Sequence, residues 1–124
     1  MTGALILIVE DNDKNLKLAR DVLQHDGFRT LEAETAAAAI ALAEQHVPDL
    51  ILMDIQLPDM DGVTALGRLR EMEATTSIPI VALTAFAMAA DRERLLAAGF
   101  DGYLAKPIDI HNFSDSVRQY CEPT

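Results

Sequence analysis

Three stretches of this chain run apolar without a break: Ala4-Leu-Ile-Leu-Ile-Val9, Leu50-Ile-Leu-Met53 and Ile80-Val-Ala-Leu83. They are too short for the helices of a globular protein and show no polar alternation. Each therefore reads as a β-strand covered on both faces, and strands of that kind belong to parallel sheets with helices packed above and below.

The intervening segments have helical periodicity. Leu16, Ala19, Val22 and Leu23 recur on one face of a helix over Asp13 to Asp26, which Gly27 stops. Thr35 is a good N-cap for an Ala-rich helix from Ala36 to about His46, closed by Pro48. Val63, Leu66, Leu69 and Met72 space out a third helix, Ala87 to Ala98 makes a fourth that Gly99 stops, and Ile110, Phe113, Val117 and Tyr120 or Cys121 line the inner face of a fifth. Two weaker strands complete the series: the partly polar Phe28 to Glu32, which suits a sheet edge, and Asp101 to Ala105. Five alternating β and α units predict an α/β fold with a doubly wound, parallel five-stranded sheet. The fully apolar first, third and fourth strands belong in its centre, which predicts the flavodoxin-like order 2-1-3-4-5 with its switch point between strands one and three.

At 124 residues the chain is expected to form one domain over 1–124. A net charge of −10 argues against nucleic acid or an anionic membrane as a partner. No apolar run approaches the ~20 residues that span a bilayer, and no basic segment precedes the first apolar run as a secretion signal would require. The single cysteine, Cys121, cannot close an internal disulfide, so a reducing cytoplasm is the expected location.

The strand ends carry the chemistry. Strand one runs into Glu10-Asp11, strand three into Asp54, strand four into Thr84 and strand five into Lys106. A lone Asp at such a point is common turn chemistry, but parallel strands deliver all these ends to one rim, where open α/β sheets bind ligands. Three carboxylates brought together repel one another, and a divalent cation relieves that. Oxygen ligands with open positions suit Mg²⁺, and Mn²⁺ shares the preference. The alternative is a solvated acidic rim without a metal. With a cation present, Asp54 could attack phosphorus and form an aspartyl phosphate. Lys106 would supply a compact cation, and Thr84 a hydroxyl, to the phosphoryl oxygens.

Four segments together resemble the receiver domains of bacterial two-component response regulators: Ile6-Leu-Ile-Val-Glu-Asp-Asn12, Asp49-Leu-Ile-Leu-Met-Asp-Ile-Gln-Leu-Pro-Asp-Met-Asp-Gly62, Pro79-Ile-Val-Ala-Leu-Thr-Ala-Phe-Ala-Met88 and Ala98-Gly-Phe-Asp-Gly-Tyr-Leu-Ala-Lys-Pro-Ile108. The likeness covers essentially the whole chain and is greatest to stand-alone receivers of the DivK type, although receivers embedded in hybrid histidine kinases share much of the wording. The resemblance implies that Asp54 is the phosphoacceptor, charged by a histidine kinase or a histidine phosphotransfer protein. It implies that Asp11 ligates Mg²⁺ directly, that Glu10 acts largely through water, and that the Gln56 carbonyl completes the protein ligands. Thr84 and Lys106 would hold the phosphoryl group, and the bond before Pro107 would be cis. Thr84 and Tyr103 would form a switch, Tyr103 turning inward as Thr84 moves toward the phosphoryl group. A downstream protein would then read the fourth helix, fifth strand and fifth helix. Gln56 and Phe86 resemble positions that set how long the phosphoryl group survives, beside an open pocket left by Ala85.

Other candidates are weaker. His25, His46 and His111 lack ligand spacing, Cys121 suits the core edge, Asp59 a solvated loop and Asp61 a helix cap. Arg92, Glu93 and Arg94 suit a solvated helix face. Gly62 to Gly67 lacks the Gly-Lys-Ser/Thr of a phosphate loop. The expected function is a phosphorylation switch with no room for an output domain, not a multiple-turnover enzyme. The competing functions are an adaptor that works without phosphorylation, a receiver segment of a hybrid kinase, and a Mg²⁺-dependent phosphatase. The last would need Asp-x-Asp at the nucleophile, where this chain has Asp54-Ile-Gln56.

Overall fold

A computed structural model describes residues 3–85 and 89–121. Its elements in chain order are β1 Leu5–Val9, α1 Asp13–His25, β2 Arg29–Ala33, α2 Ala36–His46, β3 Leu50–Asp54, α3 Gly62–Glu71, β4 Ile80–Thr84, α4 Ala89–Ala98, β5 Gly102–Ala105 and α5 Phe113–Cys121. All strand pairs are parallel, and the sheet order is β2-β1-β3-β4-β5. β3 and β4 are buried along their whole lengths, and β1 is buried beyond its first residue. Among the described residues, no helix is long and apolar enough to cross a membrane.

Side chains alternate along each strand, so the sheet separates two cores. Leu7, Val9, Ile51, Met53 and Ala82 pack with Ala36, Ala39 and Ala43 of α2 and with Ala65, Leu66 and Leu69 of α3. Ile6, Ile8, Leu50, Leu52, Val81 and Leu83 pack on the other face with Ala19 and Leu23 of α1 and with Phe113 and Val117 of α5.

Helix ends follow local chemistry. The side chains of Asn12, Thr35 and Asp61 accept from the backbone N–H three residues on, at the starts of α1, α2 and α3. Gly27, at φ +94°, follows α1 in the left-handed region that glycine adopts without penalty.

Two apolar residues expected on inner helix faces lie outside them. Val63 is 46% exposed, because the Asp61 cap turns Ala65, Leu66 and Leu69 inward instead. Ile110 is 54% exposed because α5 begins only at Phe113. β2 starts one residue later than expected, since Phe28 is buried under α1 and α5 before the strand begins.

Candidate functional site

The parallel register explains how distant residues meet. Val9 of β1 pairs with Met53 of β3, so Glu10 and Asp54 leave the sheet at the same level. Asp54 pairs with Leu83, and Thr84 with Ala105, which puts Thr84 one step and Lys106 two steps further out on the same rim. Counting alternate residues, Glu10 continues the row of Ile6 and Ile8, Asp54 that of Leu50 and Leu52, and Lys106 that of Leu104. All three therefore leave the sheet on the α1/α5 side. Thr84 has the parity of Ala82 and Tyr103, on the opposite side.

The contacts agree with this count. The Lys106 ammonium lies 2.7 Å from Glu10 Oε1 and 2.9 Å from Asp54 Oδ2. It donates a well-formed hydrogen bond to Asp54. Its approach to Glu10 Oε1 is a close ion pair without the direction of a hydrogen bond. Glu10, Asp54 and Thr84 are buried, while Asp11 is exposed. Carboxylate oxygens of Glu10, Asp11 and Asp54 lie within 4.8 Å of one another. The structure thus brings Glu10, Asp11, Asp54 and Lys106 into one notch, with Thr84 on the adjoining strand end. The Lys106–Pro107 peptide is cis.

Burial, and then the neighbouring Asp54 carboxyl, push the Glu10 pKa up to about 6, against the opposing pull of Lys106 and of the Asn12 N–H. Burial works against the charge on Lys106, but its contacts with Glu10 and Asp54 outweigh that and hold its pKa above the ordinary lysine value. A pair of close carboxylates with one ammonium leaves net negative charge in the notch. The donors there are all oxygen, which fits a hard divalent cation.

The loop after β3 is folded back on the strand. Gln56 N–H donates to Asp54 Oδ1 at 2.9 Å, Gln56 pairs with Asp61 in an isolated antiparallel bridge, and Gly62 N–H donates to the Ile55 carbonyl at 2.9 Å. A Cβ at Gly62 would lie 2.7 Å from Ile55 Cα, so only glycine lets the start of α3 approach the end of β3 this closely. Asp59 is exposed, as expected of a solvated loop, and also accepts from the N–H groups of Ala36 and Ala37 at 2.8 and 2.9 Å. It ties the loop to the amino end of α2, and these two bonds hold its carboxyl below the ordinary aspartate pKa.

Tyr103 is half-buried against the α2/α3 core, and its hydroxyl accepts a hydrogen bond from Arg92 of α4. Arg92 is exposed, in keeping with the expected solvated helix face, and reaches β5 from there. Its sequence spacing from Leu95, the buried residue of α4, is the available signal that it turns toward β5. Ala85 is exposed next to Thr84, and Phe86 lies outside the described residues. His25, His46 and His111 are exposed and scattered, and Cys121 is half-buried at the edge of the α1/α5 core.

A family profile for the response regulator receiver domain matches residues 6–118. The chain belongs to the response regulator receiver family. Within it, the polar-differentiation response regulator DivK of Brucella ovis is 42% identical over 115 residues, which are 93% of this chain and 94% of that relative. Among solved structures, the receiver domain of the sensor histidine kinase PA1611 from Pseudomonas aeruginosa is 37% identical, with a TM-score of 0.87 over 97% of this chain and 98% of that one. That structure holds a magnesium ion in its active-site cleft. The chemotaxis response regulator CheY4 of Vibrio cholerae is 24% identical, with a TM-score of 0.90 over 96% of this chain and 99% of that one, and shares the fold. The chain is a DivK-like receiver of two-component signalling, a family that works with histidine kinases and downstream targets.

Proposed function

We propose that this receiver accepts a phosphoryl group on Asp54 from a phosphohistidine and changes its affinity for partner proteins as a result. The observation that carries this reading is the buried Asp54 carboxylate at the switch point, 2.9 Å from the Lys106 ammonium and sharing a notch with Glu10 and Asp11. An Asp54 oxygen attacks phosphorus, the phosphorus–nitrogen bond to the donor imidazole breaks, and its electron pair leaves with the imidazole, which is protonated. Asp54 is ionised when it reacts, so no separate base is needed. Lys106 follows the charge from the carboxylate to a phosphoryl oxygen, and the Thr84 hydroxyl meets a second oxygen.

Glu10, Asp11, Asp54 and the Gln56 carbonyl would hold Mg²⁺, or Mn²⁺ in its place. The cation, when bound, neutralises the carboxylates and the incoming phosphoryl charge. The donor is a histidine kinase or a histidine phosphotransfer protein in the cytoplasm, and output passes through a protein that reads α4, β5 and α5, with Thr84 and Tyr103 as the moving parts. Residues 1–124 act as one phosphoacceptor unit that modifies itself and does not turn over external substrates.

Incubation with acetyl phosphate and Mg²⁺, followed by intact-mass measurement, tests this. Addition of one phosphoryl group, lost in Asp54→Ala, is the expected result. No addition would instead favour an adaptor that works without phosphorylation. Continuing hydrolysis of added phosphoesters would favour a phosphatase.

A further inference from the structure

Arg92 makes two contacts with one side chain. Its guanidinium donates to the Tyr103 hydroxyl, and its central carbon lies 5.3 Å from the centre of the Tyr103 ring. Both contacts involve a residue on a different element, since Arg92 is on α4 and Tyr103 on β5. Arg94 is engaged locally, with Asp91 at 3.2 Å, whereas Arg92 forms no ion pair among the described residues. An arginine is the side chain suited to this double contact: its planar fork donates at the edge while the same plane lies against an aromatic ring.

The contact fixes the direction of the phenol. Tyr103 is half-buried, its ring rests on the α2/α3 core, and its hydroxyl meets the exposed Arg92 at the surface. Turning the ring inward, toward the side of the sheet that Thr84 shares, breaks the hydrogen bond and the ring contact together. We propose that Arg92 is a positioning residue that holds Tyr103 with its hydroxyl outward and so sets the resting balance of the switch. The proposal rests on the reading of Tyr103 as the moving aromatic and adds what restrains it. An equilibrium moves only as far as the two states differ in their contacts, and Arg92 supplies such a difference.

The chain has two tyrosines, Tyr103 and Tyr120, so ring-labelled tyrosine gives one reporting signal and one internal reference. Spectra of the wild type, Arg92→Gln and Arg92→Lys are compared in metal-free protein and with beryllium fluoride and Mg²⁺ as the acyl-phosphate mimic. In metal-free Arg92→Gln, the Tyr103 signal should lie part of the way to its mimic-bound position while Tyr120 stays in place. Phosphorylation by acetyl phosphate should quicken by about fivefold, the ratio that one net hydrogen bond supports. Arg92→Lys keeps the charge without the fork and should fall between. Tyr103→Phe keeps the ring without the hydroxyl, and adding Arg92→Gln to it should quicken phosphorylation less than Arg92→Gln alone does. A Tyr103 signal and a phosphorylation rate that are unchanged in Arg92→Gln, while the mimic still moves Tyr103 in the wild type, overturn the restraint and leave the switch standing. A wild-type Tyr103 signal that the mimic does not move overturns both.

Discussion

At the scale of single residues, the notch is a charge problem with a local solution. Glu10 and Asp54 are buried carboxylates side by side, and Lys106 bridges them. Glu10 bears a penalty for its place, because desolvation and then Asp54 raise its pKa from 4.5 to about 6. A carboxyl whose pKa is raised by folding binds its proton more tightly in the folded state than in the unfolded one. The Glu10 contribution to the stability of the metal-free protein is therefore fully present below the unfolded value and is lost as pH rises through the folded value. The loss should total about 2 kcal/mol across that window. Glu10→Gln is expected to flatten this part of the profile, as measured by urea unfolding in a chelator at steps between roughly pH 4 and pH 7. A variant that keeps the wild-type slope would place the penalty on another group.

At the scale of elements, caps and close approaches decide where the rim segments sit. Asp59 and Gly62 show how a loop is aimed: one bonds the first N–H groups of α2, and the other admits the backbone at the end of β3. Asp59→Asn removes the charge at the amino end of α2 and replaces one of the two accepting oxygens with a donor, so its melting temperature should fall at neutral pH. The carboxyl's pKa is lowered by folding, so its contribution is present above the ordinary value and lost as pH drops through the folded one. The gap between the two melting temperatures should accordingly close below about pH 4. Val47 is the opposite case, a β-branched residue held left-handed at φ +46° and ψ +68° where α2 ends, half exposed and packed against little. Val47→Gly should relieve about 1 kcal/mol and raise the melting temperature by roughly 4 °C in a thermal scan. No gain there would mean that the αL strain is already relaxed by its surroundings.

At the scale of the whole molecule, the sheet divides the labour. Glu10, Asp54 and Lys106 emerge on the α1/α5 side, while Thr84, Tyr103 and Arg92 connect the same rim to α4 and β5. In the proposed switch, a change at the notch reaches a surface away from the chemistry through one strand end and one aromatic side chain. With the acyl-phosphate mimic bound, amide resonances should shift along α4, β5 and α5 as well as at the notch. A response limited to residues around Asp54 would remove the switch from the proposed function. The element order and most of the site were legible in the sequence, because buried parallel strands declare themselves as unbroken apolar runs and their last residues are then fixed on one edge. The Ala-rich run from Ala36 to about His46, with its Thr35 cap and the Pro48 stop, marked α2. What stayed hidden depended on partners far away in the chain: the pairing of Lys106 with Glu10 as well as Asp54, the bond from Asp59 to α2, and the grip of Arg92 on Tyr103. Local pattern also misplaced Val63 and Ile110, whose hydrophobicity suggested burial until the true helix starts turned them outward.

By itself, then, the sequence determined the βα alternation, the central strands and the set of polar groups at their ends, since these follow from short-range periodicity and from the rule that parallel strands share a direction. Only the tertiary structure decided which of those groups touch, that Glu10 bears a cost of burial and which side chain meets Tyr103. Those outcomes are set by register across the sheet and by angstrom-scale distances between segments as far apart in the chain as Glu10 and Lys106, and no local pattern encodes them.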